Sequence, residues 1–242
     1  MSIGTETDNI LIRNSVAIIP ARRGSKRIPN KNTREFLGKP IILRTISQLK
    51  KMNIFDKIIV STESIEIKEL VESSGAFVPF LRPTELAADD TPTVTVIKHA
   101  IKALNLGDKT AVISVYPTSI FLNKDLIYKS ISMLDYNPNS IMFPILRFPG
   151  PIERRLELNS ATGELRLAEP ETANLPSQYF KDFWYDISQF YCAEAKTWRN
   201  TSDLYTKSVG IDAKDLISID INDFRDWAIA EKVFLKINEE SR

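Results

Sequence analysis

The chain has 242 residues and 43% hydrophobic content, enough for one substantial α/β core or a core with a small appended lobe. Its 32 Lys and Arg residues nearly balance 31 Asp and Glu, so no bulk basic field drives nonspecific nucleic-acid binding, and any anion site must be built by local clustering. One cysteine, Cys192, and one histidine, His99, exclude an intrachain disulfide and a Cys/His zinc site, and make any Ser-His-Asp or Cys-His device depend on His99.

Residues 1–14 are polar with a small apolar patch, Ile10, Leu11 and Ile12, and read as a loosely ordered extension. No apolar run approaches the length of a membrane span and the N-terminus lacks a signal-peptide core, so the expectation is a cytoplasmic protein with no membrane partner. Residues 15–20 (SVAIIP) form an apolar run stopped by proline, which reads as a buried strand. A loop follows over 21–32, then a helix over 40–52, a buried strand over 57–62, and a helix over 65–74 ended by Gly75 as a left-handed cap. A short strand over 76–78 leads to a long polar loop, 79–92. The alternation continues with a helix over 93–104, a strand over 110–115, a helix over 124–134 and a strand over 140–145.

Such β-α alternation, with strands that are apolar throughout, predicts a doubly wound α/β fold: a mostly parallel sheet with helices on both faces. The pattern changes after Pro149. Residues 154–158 and 164–167 flank a turn at 159–163 and predict a hairpin, followed by an irregular polar stretch over 169–182. Strand character returns at 189–193, a last strand is expected over 216–221, and a last amphipathic helix over 224–237. The simplest account is one domain, 15–242, with an inserted β-hairpin lobe at about 150–187.

Chemistry concentrates in the loop Ala21-Arg22-Arg23-Gly24-Ser25-Lys26-Arg27-Ile28-Pro29-Asn30-Lys31-Asn32. It leaves the carboxyl end of the first strand, where open α/β sheets bind ligands. Gly24 permits close approach of backbone N–H groups to a phosphate, Ser25 adds a hydroxyl, and Arg22, Lys26 and Lys31 offer charge to a triphosphate. Neither GxxxxGK[ST] nor GxGxxG is present. The competing reading is a solvated basic turn.

The run Ile18-Ile19-Pro20-Ala21-Arg22-x-Gly24-Ser25-Lys26-x-Ile28-Pro29-x-Lys31-Asn32 resembles the signature of the sugar-acid cytidylyltransferases, the CMP-sialate synthetase family. Ser61-Thr62-Glu63, Phe80-Leu81-Arg82-Pro83-x-Glu85-Leu86 and Tyr116-Pro117-Thr118-Ser119 resemble its next three motifs in order. Tyr116 stands where sialate-activating members carry Gln, and Leu122 where they carry Arg. That form is similar to the branch activating pseudaminic acid, as are Phe148-Pro149-x-Pro151-Ile152-x-Arg154, Ser177-Gln178 and Tyr185-Asp186-x-x-Gln189-Phe190-Tyr191.

The resemblance implies a nucleotide-diphospho-sugar transferase-like Rossmann fold. It implies a reaction of CTP with a nine-carbon 2-keto sugar acid, pseudaminic acid first, giving a CMP-sugar and diphosphate. The implied nucleotide contacts are Ala21, Arg22, Gly24, Ser25, Lys26, Lys31, Asn32, Pro117 and Thr118. Arg82, Arg154, Gln189 and Tyr191 are the implied sugar contacts; taken alone, Gln189 to Tyr191 reads more readily as an ordinary strand with one outward polar residue. The implied catalytic set is Arg22, Lys31 and Asp220. The family's Asp-Ile-Asp-Thr-Pro-Glu-Asp-Trp stretch appears here as Asp220-Ile221-Asn222-Asp223-Phe224-Arg225-Asp226-Trp227, so Mg2+ or another divalent cation would sit at Asp220 and Asn222. Asn222 and Arg23 depart from the family pattern. A homodimer is implied too. Alternatives are a sialate, legionaminate or 3-deoxy-octulosonate substrate, a glycosyltransferase with a degraded metal motif, and a nucleotide-binding homologue without catalysis.

Overall fold

Apolar strands bounded by proline and polar caps assemble here around residues 15–20, whose side chains are almost wholly buried on both faces. In this computed structural model, residues 14–240 are described. The strands are β1 (Ser15–Pro20), β2 (Glu35–Phe36), β3 (Lys39–Pro40), β4 (Lys57–Ser61), β5 (Ala111–Val115), β6 (Ile141–Arg147), β7 (Leu156–Leu158), β8 (Leu165–Leu167), β9 (Trp184–Asp186), β10 (Phe190–Glu194) and β11 (Ser208–Asp212). The helices are α1 (Ile41–Met52), α2 (Ile65–Glu72), α3 (Thr93–Ala103), α4 (Lys124–Ser132), α5 (Ala195–Asn200) and α6 (Phe224–Glu240). The extension expected over 1–14 falls, except for Asn14, outside the described residues.

The main sheet runs β11-β6-β10-β5-β1-β4, with β9 also paired to β6. β4, β1 and β5 are parallel, as are β6 and β11; β10 runs antiparallel between β5 and β6, and β9 is antiparallel to β6. The expected mostly parallel, doubly wound α/β sheet is therefore present. The carboxyl ends of β1, β4 and β5 share one edge, and the loops leaving them converge there, the position open α/β sheets use for ligands.

Period-2 alternation divides the strand residues between two cores. Ala17, Ile19, Val60, Ile113 and Cys192 pack with Ile42 and Ile46 of α1, Ile67 and Val71 of α2, and Ile127 of α4. Val16, Ile18, Val112 and Tyr191 pack with Val94, Ile97 and Ile101 of α3 and Trp198 of α5. A third, smaller cluster joins Ile28, Phe36, Ile41, Ile120, Ile221 and Trp227. It matters for function, because it fastens the basic loop, through Ile28, to the segment before α6, through Ile221.

Three expectations change. Residues 216–221 form no strand. Ile219 and Ile221 alternate with polar neighbours because they lie over the third cluster, which yields a period of two without a ladder partner. The strand paired to β6 is instead β11, obscured in sequence by a central glycine. A Cβ at Gly210 would run into the Ile145 side chain, so the glycine makes room for it. The strand expected over 76–78 contributes only a bridge between Phe77 and Ile59.

Between β6 and β10 lies the stretch expected to be an inserted lobe; its last part, β9, pairs with β6 in the main sheet. Its hairpin, β7 and β8, pairs Leu156 with Leu167 and Leu158 with Leu165. Arg154, expected to open that hairpin, sits in a short 3-10 turn, Ile152–Arg154.

Candidate active site

The basic loop is shaped by its own sequence. Pro29 and Asn30 occupy the middle of a turn closed by a Lys31 N–H to Ile28 carbonyl bond of 3.1 Å, and Asn30 takes φ 54°. Proline followed by a left-handed asparagine suits a type II turn. The turn drives Ile28 into the third cluster and brings Lys31 back under the loop. There Lys31 Nζ donates to the Ile221 carbonyl at 2.8 Å, and the Asn32 amide donates to the Arg22 carbonyl at 2.8 Å. Gly24 has no left-handed φ and nothing within 4 Å of where a Cβ would stand, so it leaves room beside the loop backbone rather than relieving strain.

These residues wall a cavity of about 660 Å³. Arg22, Gly24, Ser25, Lys26, Lys31 and Asn32 form its basic side. Arg82, Asp89 and Thr93 come from the loop before α3 and its start, Tyr116, Pro117 and Thr118 from the end of β5, and Asp220 and Asn222 from the segment before α6. The structure thus brings together eleven positions singled out from sequence: Arg22, Gly24, Ser25, Lys26, Lys31, Asn32, Arg82, Pro117, Thr118, Asp220 and Asn222.

Four others lie elsewhere. Ala21 is buried beneath the loop, its N–H bonded to the Ser61 carbonyl at 2.9 Å. Gln189 is buried with its amide on Ser218 Oγ at 3.2 Å. Tyr191 is 2% exposed and points into the α3-side core, where its hydroxyl donates to Asp186 at 2.6 Å. Burial, with Tyr116 and the negative charge of Asp186, pushes its phenol well above the ordinary range. Tyr191 packs edge-on behind Tyr116, ring centroids 5.8 Å apart, so it supports the cavity wall rather than forming it. Arg154 lies in the inserted segment, bonded to the Leu175 carbonyl at 2.5 Å and stacked over Phe180. His99 lies outside the cavity lining, edge-on to Phe80, and burial lowers its pKa.

Sequence reasoning missed Asp89, Thr93 and Ser188 as wall residues, and quoted Tyr116 and Glu63 only as motif members. Tyr116 places its hydroxyl 3.1 Å from Thr93 Oγ1, and burial raises its pKa. Glu63 accepts the Arg23 backbone N–H at 2.7 Å and pairs with the buried Arg82 at 2.8 Å; despite burial, those donors hold its carboxyl below the usual value. The signal available for Glu63 was its place at a strand end; for Asp89, on a long polar loop, there was none.

Capping separates the acidic residues before α6. Asp223 accepts the N–H groups of Arg225 and Asp226 at 2.8 and 2.9 Å, and Asp226 accepts that of Asp223 at 3.1 Å, a reciprocal capping box. Asp220 and Asn222 do not cap the helix. Ile221 turns into the core between them, so both reach the cavity, and the Asn222 amide nitrogen donates to Asp220 at 2.7 Å.

Two motifs in the inserted segment also meet. Phe148, Pro149 and Pro151 face Ser177, Gln178 and Phe180 across a second cavity of about 270 Å³, closed by an Arg147–Asp182 ion pair. No described helix is long and apolar enough to cross a membrane.

A family model described as cytidylyltransferase matches residues 16–193. The pseudaminic acid cytidylyltransferase of Campylobacter jejuni subsp. jejuni is 31% identical over 94% of this chain and 98% of its own. The CMP-N,N'-diacetyllegionaminic acid synthase of Legionella pneumophila is 29% identical over 93% of this chain and 98% of its own. A CMP:2-keto-3-deoxy-manno-octonic acid synthetase solved with CTP superposes with a TM-score of 0.66 at 11% identity, covering 92% of this chain and 99% of its own, which shows the fold alone.

Proposed function

The chain belongs to the cytidylyltransferase family, and from that premise we propose that it activates a nine-carbon 2-keto sugar acid, pseudaminic acid, with CTP, giving the CMP-sugar and diphosphate. The observation that carries this reading is the cavity itself, where Arg22, Lys26 and Lys31 on the loop after β1 face Asp220 across a space the size of a nucleotide. The higher identity to the pseudaminic acid enzyme, 31% against 29% for the legionaminic acid relative over near-equal coverage, supports that substrate first.

In this reading Arg22, Ser25, Lys26 and Lys31 bind the triphosphate, and Arg82 and Tyr116 bound the rest of the substrate space. The anomeric hydroxyl of the sugar acid attacks the α-phosphorus in line; its O–P bond forms as the bond to diphosphate breaks. Lys31, fixed by the Ile221 carbonyl, supplies positive charge where negative charge develops. Asp220 is the candidate acceptor of the hydroxyl proton; among the described residues it is held by a hydrogen bond from the Asn222 amide.

The donor set suits Mg2+. Among the described residues no group of three or more His, Cys, Asp and Glu is placed to hold a metal, yet magnesium needs only one or two carboxylates beside phosphate oxygens and water. Asp220 and the Asn222 carbonyl oxygen would hold it, and it would neutralise charge on the phosphates.

The hairpin supports a homodimer. Leu156, Leu158, Leu165 and Leu167 share one face of an isolated two-stranded ribbon, the first three 56–61% exposed. Such a ribbon is marginal in water without a covering surface. Wild-type protein is expected to elute as a dimer in light scattering, and the Leu158→Glu, Leu165→Glu variant as a monomer; a monomeric wild type at micromolar concentration contradicts the assignment.

A panel tests the substrate. Diphosphate release from CTP is expected to be fastest with pseudaminic acid, and slower with sialic, legionaminic and 3-deoxy-octulosonic acids. Equal or faster release with another acid reassigns the substrate.

A further inference from the structure

The loop over 79–92 is tied to the basic loop at two points of different character. Arg82, buried, is held by Glu63, which also fixes the Arg23 backbone. Further along, the Asp89 carboxylate bridges two cations of the basic loop, one oxygen on Arg22 Nη1 and the other on Lys26 Nζ at 2.5 Å. The first tie is interior. The second is open to solvent: Asp89 and Arg22 are about a third exposed and Lys26 is 86% exposed, so its partners can be exchanged.

A carboxylate offers Arg and Lys the same kind of acceptor oxygens that a phosphate does. Arg22 and Lys26 both line the cavity, and so does Asp89. We propose that Asp89 is a resident counter-ion of the phosphate site: it occupies Arg22 and Lys26 in the empty enzyme and is displaced when a nucleoside triphosphate takes them. The proposal rests on reading the basic loop as the triphosphate cradle.

Two consequences follow from charge. An anion must break the Asp89 contacts to enter, so a triphosphate, with several charges, displaces it more readily than a monophosphate. When diphosphate has formed, Asp89 competes for the same two cations and assists its departure. Asp89 is thus a device for nucleotide selection and product release, and it subtracts from CTP affinity rather than adding to it. That sign is opposite to the one expected of a residue that contacts CTP favourably or holds a cation on its phosphates.

Calorimetric titration with CTP and Mg2+, sugar acid withheld, compares wild type, Asp89→Asn and Asp90→Asn. The last makes the same change of charge one residue away without touching the bridge. Two partly exposed ion pairs, each worth at most about fivefold, predict CTP bound roughly three- to tenfold more tightly by Asp89→Asn. Inorganic diphosphate should tighten in parallel, and Asp90→Asn, at a position that forms no ion pair with Arg22 or Lys26, should stay within about twofold of wild type, the scale of an unpaired solvated charge. Binding by Asp89→Asn that is equal to or weaker than wild type overturns the proposal. A wild type that binds no CTP overturns instead the reading of the cavity on which it rests.

Discussion

Lys31→Ala is expected to lower the turnover of CTP and sugar acid by roughly two to three orders of magnitude, the scale seen when one fixed donor to developing charge is removed. Lys31 is held by the type II turn at Pro29-Asn30 on one side and by the Ile221 carbonyl on the other, so its ammonium is positioned before any substrate arrives. The stability cost should be about 1 kcal/mol, that of one ordinary hydrogen bond, because the third cluster holds the loop through Ile28. Steady-state diphosphate release and thermal melting separate the two effects; unchanged turnover in a folded variant contradicts the role.

A pH dependence follows for the same residue. Burial lowers the Lys31 pKa, against the opposing pull of Asp220, with Arg27 and Arg22 lowering it further. A lowered amine pKa means that the charge is lost as pH rises, and lost below the ordinary value of about 10.4. The alkaline limb of kcat/KM for CTP should therefore begin early. Lys31→Arg, which keeps its proton throughout, should move that limb to higher pH.

Asp220→Asn is the second large effect. It keeps an oxygen on Asn222 but removes the carboxylate opposite the basic loop. Half-saturating Mg2+ is expected to rise about 10- to 100-fold, with a comparable fall in turnover at physiological Mg2+. Asn222→Asp should act oppositely on the metal, lowering the half-saturating concentration, since it supplies the second charge. It should also lower the melting temperature without metal, because two carboxylates would then replace a 2.7 Å amide–carboxylate bond. Metal titrations of initial rate decide both; identical titrations for all three proteins would remove the cation from this position.

The sheet and the basic wall of the cavity were legible because both rest on local pattern. Uninterrupted apolar runs produced β1, β4 and β5, and the loop after β1 carries its own turn chemistry in Pro29-Asn30 and its own charge. The failures have one physical origin, long-range packing. Residues 216–221 alternate like a strand because they cover a core, while β11 hides behind Gly210, whose reason is the approach of Ile145. Tyr191 looked like a substrate contact; the pleat turns it away from the cleft and onto Asp186. Asp89, 67 residues beyond Arg22 in sequence, meets it only in the fold.

The most direct test is product identification after incubating the protein with CTP, Mg2+ and pseudaminic acid. The account predicts a CMP-pseudaminic acid adduct formed one for one with diphosphate, abolished without the divalent cation and reduced about a hundredfold or more in Lys31→Ala. Consumption of CTP without that adduct, or an adduct formed equally well by Lys31→Ala, would contradict it.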